Sequence, residues 1–174
     1  DLNLITSNTA AIFIETIQGE AGIRVADQAY FEALRKKCTE TGALLVLDEI
    51  QCGFGRTGKM FGFEHFNIVP DILLLAKGIG GGMPIGAFIS SRGIMISLAT
   101  NPILGHITTF GGHPVSCAAG LATLQTILNE NIVDGVTEKG LLFKKLLKHP
   151  AIKEVRGIGL MMGIGFENFE MNKK

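Results

Sequence analysis

The sequence predicts an α/β fold with a mostly parallel sheet, and three observations carry the prediction. Two apolar runs, ALLVL at Ala43–Leu47 and DILLLA at Asp71–Ala76, are short, continuous and rich in branched residues. Strands buried on both faces of a parallel sheet have that pattern. A third run, AAIFI at Ala10–Ile14, is joined to the first by a stretch of helical spacing, giving the order strand, helix, strand, a right-handed parallel crossover by default. Each run also delivers a charged residue at or just past its carboxyl end: Glu15, Asp48 and Lys77. Ligands in open α/β sheets bind at that edge.

Taken in order, Asp1–Asn8 is polar and reads as a connection before the Ala10–Ile14 strand. Asp27 can cap a helix in which Tyr30, Phe31, Leu34 and Cys38 repeat at helical spacing, and Gly42 can end it in a left-handed turn. The Ala43–Leu47 strand, a glycine-rich turn (QCGFGRTGK) and a short helix or loop at Met60–Phe66 follow. Next come the Asp71–Ala76 strand and a further strand at Ile85–Ser90. Pro114 suits the first turn of a helix running to about Asn129. A second helical pattern, Ile132–Leu147, places Val133, Val136, Phe143 and Leu146 on one side and its lysines on a solvated face. Pro150 ends it, and short strands are expected near Ile152–Val155 and Leu160–Phe166.

Composition bounds the function. Sixteen basic residues balance sixteen acidic ones, so no charge excess favours nucleic acid or an anionic membrane. No apolar run approaches the roughly 18 residues of a membrane helix. Cys38, Cys52 and Cys117 are widely spaced without a CxxC pair, which fits reduced thiols and a cytoplasmic protein. The chain opens on Asp1 rather than methionine, which leaves a mitochondrial matrix location open. His106 and His113, without carboxylate or cysteine company, read as loop hydrogen-bonders rather than metal ligands.

A carboxylate and an amine at one sheet edge suit a cofactor that needs both. A nucleotide-binding alternative fails on context. LLVLDE is like the acidic strand of P-loop NTPases, and GFGRTGKM approaches their phosphate loop. Met60, however, stands where a magnesium-binding hydroxyl is required, and the loop has no strand of its own to open from.

The stretch LLVLDEIQCGFGRTGKMFGFEHFNIVPDILLLAKGIGGGMPIGA, with IFIETIQGEAG before it and HITTFGGHP after it, closely resembles the class III aminotransferases that use pyridoxal phosphate (PLP), of the acetylornithine and ornithine aminotransferase kind. The resemblance covers nearly the whole chain. It implies the large domain of a fold-type-I PLP-dependent transferase, a mostly parallel sheet with helices on both faces. Residues 1–129 would belong to that domain, 130–149 to a connecting helix, and 150–174 to the start of a C-terminal α+β domain. Members of the family are more than twice as long, so the chain is expected to be a piece whose isolated form is inactive. The implied reaction transfers an amino group from an ornithine-like donor to 2-oxoglutarate, in a homodimer with shared active sites. PIGAF, Pro84–Phe88, looks more like acetylornithine than ornithine enzymes. Other PLP reactions on the same scaffold (decarboxylase, racemase or aminomutase) and a non-catalytic homologue are the alternatives.

The resemblance places the Schiff-base lysine at Lys77, where apolar surroundings should favour a neutral, nucleophilic amine. It places Asp48 at the pyridine nitrogen, as the acidic partner that keeps the ring an electron sink. An ion pair at about 4 Å and an effective dielectric near 20 is worth roughly 4 kcal/mol, enough to hold that proton at neutral pH. Gln51 matches the family residue near the ring's phenolic oxygen. Glu49, adjacent on the strand, points to the opposite face and reads as structural. Thr108 and Thr109 precede a glycine turn that leads into a helix amino terminus, which suits an anion; in the family the second threonine holds the phosphate of the neighbouring subunit's cofactor. Glu20 matches an acid that pairs with an arginine near the substrate and moves aside for a second carboxylate. Thr16 stands where the family usually has proline and is expected to loosen the turn.

Overall fold

Why the sheet takes its order follows from the three apolar runs. In the computed structural model, which describes residues 1–103 and 106–167, they become β1 (Ala11–Glu15), β4 (Leu44–Asp48) and β5 (Ile72–Leu75). β1 pairs parallel to β4, with Ala11 opposite Leu44 and Glu15 opposite Asp48, and β4 pairs parallel to β5. β6 (Ala87–Ser90) closes the sheet antiparallel to β5, so the order is β1-β4-β5-β6.

Side chains alternate across the pleat. Ile12, Ile14, Leu45, Leu47, Leu73 and Leu75 therefore share one face, where they pack on Phe31, Leu34 and Cys38 of α1 (Gln28–Thr41) and on Phe66 and Ile68. Asp27 caps α1 by accepting the Tyr30 N–H at 2.7 Å, and Gly42 ends it in the left-handed conformation. The expectation of burial on both faces holds at β4, where Val46 is 1% exposed, but not at β1, where Phe13 is 72% exposed. β1 is the sheet's edge strand, and nothing among the described residues covers that face of it.

Asp1–Asn8 is more than a connection. Asp1 caps a one-turn 3-10 helix at Leu2–Leu4, and Leu2 and Ile5 join the core. The pattern over Ile132–Leu147 is likewise broken. Asn131 takes a left-handed conformation, a 3-10 turn spans Ile132–Gly135, and α4 runs only from Val136 to Leu146. α4 buries Val136 and Gly140 rather than the whole predicted stripe, leaving Phe143 and Leu146 exposed. Between β6 and α4, Ser91 caps the one-turn α2 (Arg92–Met95), and α3 spans Pro114–Asn129 with Pro114 in its first turn. The final strands are β7 (Ile152–Ile158) and β8 (Met161–Phe166), a hairpin longer than its apolar pattern suggested. The last seven residues of the expected small domain, 168–174, lie outside the described residues.

A second, smaller core joins distant parts of the chain. Ile17, Cys52 and Met161 are buried together, with Ile23 and Ile158 packed against them. Ile17 belongs to β2 (Ile17–Gln18), which forms a tight hairpin with β3 (Arg24–Val25). The β7–β8 turn docks backbone to backbone: Leu160 N–H donates to the Arg56 carbonyl at 2.9 Å. Gly159, at φ +57°, lies so close to Thr57 that a Cβ there would stand 2.5 Å from the Thr57 carbonyl carbon. Among the described residues no helix is long and apolar enough to cross a membrane.

Candidate active site

Three parallel strands end at one edge, and residues at or just past their ends supply the polar groups. β4 delivers Asp48, half-buried, whose Oδ1 accepts the Ile50 N–H at 2.9 Å. Among the described residues its Oδ2 receives no hydrogen bond. β5 delivers Lys77 two residues past Leu75. Lys77 adopts φ 46°, the left-handed region that a side chain with a Cβ seldom occupies and that costs of order 1 kcal/mol or more. Gly78 follows it, so close to Phe54 that a Cβ would stand 3.3 Å from the Phe54 Cβ. A side chain at position 78 would have to push Phe54 aside by a few tenths of an ångström, so the glycine eases the passage of the chain beside that ring.

The apolar enclosure expected around Lys77 is not supplied by the described residues. Its side chain is exposed at the mouth of a cavity of about 410 Å³. Gln51 and Arg56 line this cavity from the glycine turn, Ile127 and Ile132 from the α3–α4 region, and Leu160 and Met161 from the last hairpin. The strand pattern pointed to Lys77 and the resemblance to Gln51; the part played by the helices and hairpin had no local signal in the sequence.

Glu20 sits at the tip of the β2–β3 hairpin, exposed, and among the described residues it has no hydrogen-bond or ion-pair partner. Its neighbours are held instead. Gly19 N–H donates to Glu15 Oε2 at 2.8 Å, and Gly19 lies directly against the Gln51 amide. The Glu20 turn and the Gln51 turn are therefore in contact.

Thr108 lines a separate cavity of about 420 Å³ with Pro84, Gly86 and residues of the glycine turn up to Ser116 of α3. Gly86 borders the Leu75 carbonyl and Ala87 pairs with Leu75, which puts this wall of the cavity at the end of the sheet from which Lys77 emerges. Thr109 is exposed beside it and is not part of its lining. The fold thus brings Asp48, Gln51, Lys77 and Glu20 toward one edge, with Thr108 and Thr109, both exposed, on the glycine turn that leads to α3.

Glu49 is structural. It is fully buried, accepts the Gly62 and Phe63 N–H groups at 2.8 Å each, and accepts the Thr16 hydroxyl. Burial pushes its carboxyl above the ordinary range, against the pull of those hydrogen bonds. Thr16 consequently does the reverse of loosening its turn, because its hydroxyl ties the end of β1 to the residue after Asp48. The signal was present as a hydroxyl and an acid at two neighbouring strand ends, but only the register pairs them. Burial, with the Glu49 carboxylate nearby, likewise pushes the Cys52 thiol up to about 12, and the thiol donates to the Ile17 carbonyl at 3.5 Å.

Comparison with known proteins agrees along nearly the full chain. The family profile described as aminotransferase class-III matches residues 2–174. The acetylornithine aminotransferase of Methanocaldococcus jannaschii is 49% identical over 94% of this chain and 42% of its own length. That of Caldanaerobacter subterraneus is 45% identical over 91% of this chain and 41% of its own. The chain thus spans about two-fifths of these curated relatives. Among solved structures, the ornithine aminotransferase of Toxoplasma gondii, with PLP partly occupying its active site, superposes with TM-score 0.86 at 34% identity, covering 96% of this chain and 41% of that one. A Bacillus anthracis aminotransferase superposes with TM-score 0.84 at 39% identity, covering 94% and 38%.

Proposed function

The chain belongs to the class-III aminotransferase family, and from that premise we propose that it forms part of a PLP-dependent enzyme moving an amino group from acetylornithine or ornithine to 2-oxoglutarate. The observation that carries the reading is that Asp48 and Lys77 emerge at the ends of two neighbouring parallel strands, the lysine exposed and in a left-handed conformation. The donor set fits the cofactor: an exposed amine for its aldehyde, a carboxylate oxygen without another partner among the described residues for its ring nitrogen, and hydroxyls with turn amides for its phosphate. Relatives at 44–49% identity carry the name acetylornithine aminotransferase, which favours that donor over ornithine.

When bound, PLP supplies an electron sink for a bond broken at the amine-bearing carbon. Lys77 would hold the cofactor, its amine being the group suited to an aldehyde carbon. The same amine is the base that would move a proton at the amine-bearing carbon of the substrate. Asp48 would keep a proton on the ring nitrogen, and Gln51 would help to orient the ring. Thr108 and Thr109 would supply hydroxyls to the phosphate, Thr109 to that of the neighbouring subunit's cofactor in a homodimer. Glu20 borders the substrate. Residues 1–129 form part of the large domain, 130–149 the connection, and 150–174 the beginning of the C-terminal domain, in a cytoplasmic enzyme.

Borohydride reduction of the PLP-loaded protein, followed by peptide mapping, tests the assignment. The pyridoxyl mass should fall on the peptide containing Lys77 and disappear in Lys77→Ala. Asp48→Asn should retain the label but lose at least about 100-fold in turnover, given the roughly 4 kcal/mol ion pair. A label on another lysine would remove Lys77 from the reaction.

A further inference from the structure

Glu20 has no partner among the described residues, yet the turn that carries it is anchored on both sides. On one side Gly19 N–H donates to Glu15. On the other, Arg156 of β7 reaches across 134 positions of sequence and donates its Nε–H to the Gly22 carbonyl. Arg156 is itself oriented by Glu154, whose Oε1 accepts from Nη1 at 2.5 Å. Gly22 is at φ +94°, and a Cβ there would stand 2.8 Å from Nη2, so the guanidinium occupies the space that a side chain would take. The next residue, Ile23, is left-handed at φ 55° and packs over Gly157 and Gly163 of the β7–β8 hairpin. The turn is closed from within by the Gly22 and Ile23 N–H groups, which both donate to the Gly19 carbonyl at 3.0 and 3.2 Å, and from outside by the β7–β8 hairpin, which holds the Gly22 carbonyl and packs on the left-handed Ile23.

We infer that Arg156 is a positioning residue: by holding the Gly22 carbonyl it sets the stance of Glu20 and so the enzyme's discrimination between substrates with one carboxylate near that acid and substrates with two. The inference rests on the proposed role of Glu20 beside the substrate. A guanidinium suits the task because it stays charged and presents donors in a fixed fork, one to the carbonyl and one to Glu154. The Gly22 N–H is held within the turn by the Gly19 carbonyl, and Arg156 takes the carbonyl on the other side of the same residue.

The test uses the complete PLP-loaded enzyme and the ratio of kcat/KM for acetylornithine to kcat/KM for glutamate in the two half-reactions. Arg156→Met should change that ratio about tenfold or more, the loss expected for a charge-assisted hydrogen bond. Arg156→Lys, which keeps a donor, should recover part of it. On a Glu20→Gln background the Arg156→Met effect on the ratio should vanish. A purely structural role would lower both half-reactions alike and leave the ratio unchanged in every background, which would overturn the inference. Failure of the Glu20 reading looks different, because Glu20→Gln would then leave the ratio at its wild-type value. Should Arg156→Met lose its thermal transition, Gly22→Ala carries the test from the other side of the contact. It should shift the ratio in the same direction, and an unchanged ratio in a folded Gly22→Ala enzyme counts against the inference.

Discussion

The two cores of this molecule are built on different principles. The larger one, between the sheet and α1, is a conventional apolar layer: Phe31 packs on Phe66 with ring centroids 4.4 Å apart, over Leu45 and Leu47. Its members come from runs with clear period, and each can be replaced by another apolar residue of similar volume at modest cost. The smaller one has three buried side chains and is otherwise a set of close backbone approaches, with Gly159 against Thr57, Gly140 against Gly159, and Gly163 against Ile23. Its specificity lies in absent side chains. The difference bears on function, because the larger core fixes where Asp48 and Lys77 emerge, whereas the smaller one fixes the turns that carry Gln51 and Glu20.

The largest expected effect separates them by size of loss. Phe31→Ala should destabilise the protein by about 3–5 kcal/mol, the cost of deleting a buried ring and leaving a cavity. Urea unfolding of the cofactor-free protein would measure it. Amide protection should fall at Leu45–Leu47 in step with global stability. A loss below about 1 kcal/mol would mean that α1 is not the main cover of the sheet.

Gly159→Ala should cost less, about 1–3 kcal/mol, but locally. A Cβ there meets Thr57 backbone at 2.5–2.9 Å, and a left-handed backbone adds strain. Backbone cannot rotate aside as a side chain tip can, so the β7–β8 turn must lift. Exchange protection should collapse at the Leu160 N–H, bonded to Arg56, and persist at Leu45–Leu47. Equal loss at both places would show that the two cores unfold as one unit.

These contrasts also account for what could be seen in the sequence. The strands, the cap at Asp27, the left-handed stop at Gly42 and the Pro114 helix start were legible because each is a local rule applied to neighbouring residues. Asp48 and Lys77 were legible for the same reason, as charges at the ends of apolar runs. The Thr16–Glu49 bond, the Arg156–Gly22 bond and the glycine approaches were not, since each joins residues that only register or docking brings together. The break at Asn131 was missed because apolar periodicity runs through it, although the backbone there turns left-handed.

The smallest effect is a pH dependence confined to the second core. His65, half-buried after the glycine turn, hydrogen-bonds through Nε2 to the Thr57 hydroxyl at 3.0 Å, directly behind the backbone on which Gly159 rests. Burial holds its imidazole below the ordinary value of 6.5, with Lys59 adding to the effect and the Thr57 bond opposing it. A base whose folded pKa is depressed binds more protons when unfolded. Its contribution to stability is therefore complete above 6.5 and is lost as pH falls through the folded value. Acidification from pH 7.5 to 5 should lower the protection factor at Leu160 more than at Leu45–Leu47, and His65→Gln should remove that difference. Proton uptake at His65 puts a charge in a half-buried place beside Thr57, so the docked turn loosens while the sheet core around Leu45–Leu47 keeps its protection. A uniform decline across both regions, or one that survives His65→Gln, would place the acid sensitivity elsewhere in the molecule.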